Sequence, residues 1–274
     1  MSSPRPRPRK ISAVVSDVDG TLVRDDKSLS EVNRSVVAKL RQRGVAFALV
    51  SSRPPRGLAA VIAALDISTV VAGFNGGVIA DPRLEVLEQH LLAPVVALRT
   101  VEALAARGVD AWVFSGREWF LQNPNASNVT REIRTVNFQP TVVPDFGAAL
   151  ETAGKIVGVS QDAGLLERCE AELSAELSGR ASVARSQPYY LDITHPLANK
   201  GAALRAIARL LAVPLEEIAV IGDGPNDVAM FAPAGFSIAM GNAEAAVQRA
   251  ADVVTDTNNA DGFAAAMDRF ILSD

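Results

Sequence analysis

Cysteine is almost absent from this 274-residue chain: Cys169 is the sole one. No intrachain disulfide can form, and a reducing compartment such as the cytoplasm is expected. Cys169 itself falls in LLERCEAEL, a helical pattern that reads as inert packing. No apolar run approaches the ~20 residues that cross a bilayer. Nor does a signal-peptide core follow the basic opening MSSPRPRPRK, because Ile11 to Ser16 is short and runs straight into acids. A surplus of positive charge is missing too. Lys and Arg total 27 against 31 Asp and Glu, a net charge of -4, which gives nucleic acid or an anionic membrane no general attraction. Histidines number two; His195 reads as a capping or hinge residue beside Pro196, and His90 has no evident partner.

What is present is a chain of ordinary globular composition, 49% hydrophobic and 21% charged. Its length suits one large domain or two unequal ones. Residues 1–10 are expected to be a disordered or extended basic tail. After them, short β-rich runs alternate with amphipathic helices, as in parallel strands joined by helical crossovers. ISAVVS is the first strand. In SEVNRSVVAKLRQRG, Ser30 is the N-cap, Val32, Val36, Val37 and Leu40 form the apolar face, and Gly44 ends the helix. Between Pro82 and Thr194 the texture changes to two longer helices and several alternating strands. This predicts an α+β module, residues 82–194, inserted into an α/β core built from 11–81 and 195–274.

Acids stand where strands end. VVSDVDGTLV drops Asp17 and Asp19 directly behind a buried strand, at the carboxyl edge where open α/β sheets bind ligands. Two carboxylates one residue apart repel unless a cation is held between them. VIGDGPNDVAM repeats the arrangement with Asp223 and Asp227, and hard oxygen donors favour Mg²⁺. A third strand end, LVSSRPP, offers the hydroxyls of Ser51 and Ser52 and a helix N-terminus suited to phosphate oxygens. HPLANKG places Lys200 in the first turn of a helix, where a cation opposes the helix dipole and wants an anion beside it.

DVDGT, SSR, NKG and GDGPND, in that order and with an insert between the second and third, resemble the haloacid dehalogenase (HAD) superfamily of phosphohydrolases, in particular its Cof-type, subfamily IIB, sugar-phosphatase-like branch. The resemblance covers essentially the whole chain after the tail. It implies a Rossmann-like core with a mobile α/β cap and a Mg²⁺-dependent phosphatase of a small phosphomonoester, a sugar phosphate or related metabolite. Asp17 would be the nucleophile that becomes an aspartyl phosphate. Asp19 would be the general acid and base, and Ser51 and Lys200 would hold the phosphoryl group. Asp17, Asp19 through its backbone carbonyl, Asp223 and Asp227 would surround the metal, Asp227 from the second layer. Ser52, Arg53, Asn75, Gly76 and Asn226 are candidate substrate or phosphate contacts. The chain departs from the family's common Thr-Gly-Arg at Ser51, Ser52 and Arg53. In the insert, Arg117, Trp119, Arg185, Gln187, Tyr189 and Tyr190 could reach a sugar or a second anion. A phosphomutase or phosphotransferase using the same intermediate stays open, as does a phospho-ligand sensor without turnover. The expected partner is a small phosphorylated metabolite, with the chain a monomer or homodimer.

Overall fold

A computed structural model describes Pro8 and residues 10–273. The rest of the expected basic tail lies outside the described residues; Lys10, at its end, pairs with Glu217 at 2.8 Å. The chain opens with β1 (Ala13–Ser16), α1 (Glu31–Gln42), β2 (Ala46–Val50), α2 (Ala59–Leu65) and β3 (Val71–Gly73), then folds back as β4 (Val78–Ala80) and β5 (Val86–Gln89). Next come α3 (Pro94–Ala106), β6 (Asp110–Ser115), β7 (Glu118–Leu121), α4 (Val129–Val136), β8 (Thr141–Val142), β9 (Ala153–Val159), α5 (Ala163–Glu176), β10 (Ser182–Gln187) and β11 (Tyr190–Thr194). It closes with α6 (Lys200–Leu211), β12 (Ile218–Gly222), α7 (Val228–Phe231), β13 (Phe236–Ala239), α8 (Ala245–Ala250), β14 (Val253–Val254) and α9 (Gly262–Ala266).

Two sheets result. The first has eight strands in the order β14-β13-β12-β1-β2-β3-β4-β5, parallel from β14 to β3. Alternation along β1 explains its layering: Val14 joins one apolar cluster with Leu49, Val36, Leu40, Ile62 and Phe263, while Ala13 and Val15 join another with Ala48, Leu204, Ile207 and Phe231. Helices α1, α2 and α9 cover one face, and α6, α7 and α8 the other. A parallel sheet buried on both sides reads as continuous apolar runs, which is why its strands stood out in the sequence. Ser30 caps α1 as expected, accepting from Asn33 N.

The second sheet runs β10-β11-β9-β6-β7-β8, antiparallel except for β7 with β8. Helices α3 and α5 pack Leu104, Leu166, Cys169 and Leu173 on one face, so Cys169 is buried packing as expected. On the other face Trp112, Phe114, Trp119 and Val157 meet Val129 and Val136 of α4, and Phe74 of the first unit. Each fully buried side chain of this kind stabilises by roughly 1.5–3 kcal/mol. Trp119, a candidate substrate contact, is instead fully buried and stacked on Phe114.

Two features depart from the expected organisation. The break at 81/82 falls inside the first unit, because β5 pairs antiparallel with β4 and extends that sheet to Gln89. The exposed edge position of Val86 and Leu87 left no clear apolar alternation to read. Helix α4 was not expected at all: it is short, its N-cap Asn128 is left-handed and offers no side-chain bond, and its first residue is β-branched. Burial of Val129 and Val136 and part-burial of Ile133 hold it. Where the chain crosses between units, His90 and His195 stack with ring centroids 5.3 Å apart, so His90 has a partner after all.

Candidate active site

Strands β1, β2 and β12 are adjacent and parallel, so their carboxyl ends lie side by side. Ser16 is the last residue of β1 paired with β12, opposite Ile221, and Asp17 N donates to Ile221 O. Asp17 and Asp223 therefore leave neighbouring strands at one edge, a strand spacing of roughly 5 Å apart. The turn after Asp17 is tight: Leu22 and Val23 both donate to Val18 O, and Gly20 sits at φ 77°. A Cβ at Gly20 would meet Asp223 Oδ2 at 2.2 Å, so only glycine lets this turn lie against the second acidic loop.

Asp17, Asp223 and Asp227 each offer a carboxylate oxygen within 4.8 Å of the others. Lys200 Nζ donates to Asp17 Oδ1 at 2.5 Å and to Asp227 Oδ1 at 2.6 Å. Its position follows from α6: Asn199 caps the helix by accepting from Ala202 N, which sets Lys200 in the first turn. The expected compensating anion is thus supplied by the protein itself. Asp227 Oδ2 accepts from Asp223 N and Gly224 N, so both its oxygens are occupied. Asp223 accepts from Thr21 Oγ1 at 3.1 Å and Asn242 Nδ2 at 3.3 Å.

The charge balance is lopsided. One buried ammonium faces three carboxylates. Burial would lower the pKa of Lys200, but Asp17 and Asp227 raise it above the usual range, so the ammonium persists. Burial lifts Asp17 well above the carboxylate range, with Lys200 opposing and Asp227 and Asp223 adding to the rise. Asp223 is pushed up to about 6, first by burial and then by Asp227. An all-oxygen cluster short of positive charge fits a hard divalent cation such as Mg²⁺.

Asp19 lies apart from this cluster. Its carboxylate is gripped by Arg53, Nε to Oδ2 at 2.6 Å and a terminal nitrogen to Oδ1 at 2.7 Å, and by Lys27 at 2.8 Å. Burial would raise its pKa, but Arg53 and Lys27 bring it down to about 2. The Asp19 side chain is therefore no metal donor here, which leaves it only its backbone carbonyl. Arg53, expected at phosphate, is buried against Asp19. Ser51 is buried, and its hydroxyl accepts from Arg53 N at 3.1 Å. Ser52 and Asn75 line the cavity; Asn75 accepts from Asn226 at 3.0 Å. Gly76 does not reach it: at φ 98° it packs on α6, where a Cβ would lie 2.6 Å from that of Ala203.

These groups open into a cavity of 1660 Å³ between the two sheets. Its other wall comes from the second unit and carries Glu132, Lys155, Tyr189, Tyr190 and Asp192, with Arg185 and Gln187 nearby. Sequence reasoning found the tyrosines but missed Lys27, Glu132, Lys155 and Asp192. The alternation of YLDIT, with Leu and Ile inward, was the signal available for Asp192.

Residues 14–267 match the family model of haloacid dehalogenase-like hydrolases. The chain belongs to that family. Among its relatives, a 5-amino-6-(5-phospho-D-ribitylamino)uracil phosphatase of Bacillus subtilis is 26% identical over 265 residues, covering 96% of both proteins. A haloacid dehalogenase-like hydrolase from Bacteroides thetaiotaomicron, 30% identical, aligns at a TM-score of 0.88 over 95% of this chain and 99% of that one. A sugar phosphatase of HAD subclass IIB, 23% identical, shares the fold at a TM-score of 0.81 over 94% and 98%. The fold is the α/β core with an inserted cap of this superfamily's Cof-type branch, and the chain is a HAD-type phosphoric monoester hydrolase. No helix among the described residues is long and apolar enough to cross a membrane.

Proposed function

We propose that this HAD phosphatase hydrolyses a small phosphomonoester of the cytoplasm through an aspartyl-phosphate on Asp17, with Mg²⁺ as its cofactor. The observation that carries the reading is the convergence of Asp17, Asp223 and Asp227 at one strand edge, with Lys200 bonded to Asp17 and Asp227. Asp17, Asp223 and the Asp19 carbonyl would hold the metal, which when bound neutralises phosphoryl charge. Asp17 attacks phosphorus in line. Lys200 restrains the nucleophile and adds positive charge beside the transferring group. Asp227, bonded on both oxygens, fixes Lys200 and the Asp223 loop. Asp19 protonates the leaving oxygen and then takes a proton from water. For the first of these steps it has to part from Arg53 and acquire a proton. The second unit, residues 90–194, serves as a cap over the cavity, and its opening admits substrate.

Hydrolysis of p-nitrophenyl phosphate with Mg²⁺, its loss with EDTA and its return with added Mg²⁺ test the cofactor. Acid quench of a turnover reaction, with mass spectrometry of the peptide carrying Asp17, tests the intermediate. Metal-independent turnover overturns the first assignment. Phosphate found elsewhere overturns the second, and phosphate passed from Asp17 to a second substrate rather than to water overturns hydrolysis as the reaction.

A further inference from the structure

Strand β11 sends Leu191 and Ile193 into the core beneath α3 and α5. Alternation then puts Tyr190, Asp192 and Thr194 on the opposite face, where Thr194 is registered with Lys155 of β9. That face is the cap wall of the cavity that Asp17 lines from below. Covering a hydrophobic sheet does not call for a carboxylate. Asp192 is nevertheless 8% exposed, with Lys155 Nζ 2.6 Å from its Oδ2. Apart from that ion pair, neither Asp192 oxygen accepts a hydrogen bond among the described residues, and the Tyr190 hydroxyl is turned to the Glu132 carboxylate. Glu132 brings this second carboxylate from α4 to the same wall, its pKa raised by burial and by Asp192 and Asp19, with Lys155 and the hydrogen bond from Tyr190 opposing.

Acceptors outnumber donors on this wall: one ammonium with three protons and the single Tyr190 hydroxyl proton face the four oxygens of two carboxylates, each able to accept more than once. Buried acceptors without partners are costly, and an incoming donor relieves them. Positive charge, by contrast, is committed. Arg53 and Lys27 hold Asp19, Lys200 holds Asp17 and Asp227, Arg185 holds Glu170 at 2.7 Å, and Arg131 holds the Tyr189 hydroxyl at 2.6 Å. Of the cations lining the cavity, Arg134, on the exposed side of α4, is the exception among the described residues.

We propose that Glu132, Asp192 and Tyr190 form a subsite that reads hydrogen-bond donors on the organic part of the substrate. The substrate class is then a phosphomonoester whose leaving group carries hydroxyl or amino groups and no second anion. This inference rests on the phosphatase reading above. The test measures kcat/KM with Mg²⁺ for D-ribose and D-glucosamine, each phosphorylated on its primary hydroxyl, for fructose bisphosphate and for p-nitrophenyl phosphate. The wild type should favour the first two over the bisphosphate by about tenfold or more, and Glu132→Gln should cut the ratio of ribose phosphate to p-nitrophenyl phosphate about tenfold, through KM. Asp192→Asn strands Lys155, so the double variant Lys155→Met/Asp192→Leu, which removes both charges, is the companion. With a wild-type melting temperature it should lose the same ratio. A preference for the bisphosphate, or an unchanged ratio in folded variants, overturns the subsite alone. Wild-type protein that does not cleave p-nitrophenyl phosphate overturns the phosphatase reading and this inference together.

Discussion

Arg53 and Asp19, 34 residues apart, form a two-point fork at 2.6 and 2.7 Å, with the guanidinium buried. Paired hydrogen bonds of this kind favour the ionised carboxylate. The residue expected to act as an acid is thus stored as a base, with a pKa of about 2.

Removing the fork should expose that storage. In Arg53→Met, burial is opposed by Lys27 alone, so the Asp19 pKa rises. Base catalysis needs Asp19 ionised, hence activity is lost as pH falls through that pKa. With enough Mg²⁺ to keep Asp17 and Asp223 ionised, the Asp19 limb of the pH profile should lie at roughly pH 4 or above in this variant and well below that in the wild type. Arg53→Lys, with one donor point in place of a fork, should fall between the two. Identical profiles in all three proteins would remove the argument.

Lys200→Met should lose both turnover and stability. It strands Asp17 and Asp227, and breaking a buried pair by deleting one partner costs about 3–5 kcal/mol. Urea denaturation measures the loss. Adding Asp227→Asn to Lys200→Met should recover part of the stability but no hydrolysis; a single variant as stable as wild type would mean the cluster is already neutral in the fold.

Gly20→Ala should harm the site more than the fold. Its positive φ costs about 1 kcal/mol for a residue with a Cβ, a modest drop in melting temperature. The same Cβ meets Asp223 Oδ2 and must displace it. The expected signature is about a tenfold or greater rise in the Mg²⁺ concentration needed for half-maximal hydrolysis. A stability loss with unaltered Mg²⁺ dependence would place Asp223 outside the metal site.

Metal-free protein should be less stable at pH 7 than at pH 5. Asp223 has a folded pKa near 6 against a usual 3.8, and Asp17 is raised in the same direction. The folded state therefore binds protons more tightly than the unfolded state, and stability falls as pH rises from about 4 through 6. Asp19 acts oppositely, with stability present at pH 4 and lost as pH falls toward 2. Mg²⁺ binds the ionised carboxylates, so its gain in melting temperature should be larger at pH 7 than at pH 5, about 2–4 °C for each kcal/mol. Calorimetry with and without Mg²⁺ at the two pH values decides it.

The residues of the chain, taken in order, already determined the parallel core, the strand-end acids and the lysine that joins them. Those features are local: apolar runs bounded by Asp17, Ser51 and Asp223, and a cap at Asn199, are legible because strand burial and helix starts depend on near neighbours. Tertiary structure decided the partners. Asp17 and Lys200 are 183 positions apart, and nothing local says that Lys200 would also take Asp227, or that Arg53 would turn from phosphate to Asp19. The edge strand β5 and helix α4 likewise have weak local patterns and exist because the neighbouring sheet and the cap's apolar face bury them. Glu132, Lys155 and Asp192 come from three elements, and only the packing of those elements around one cavity makes them a single wall.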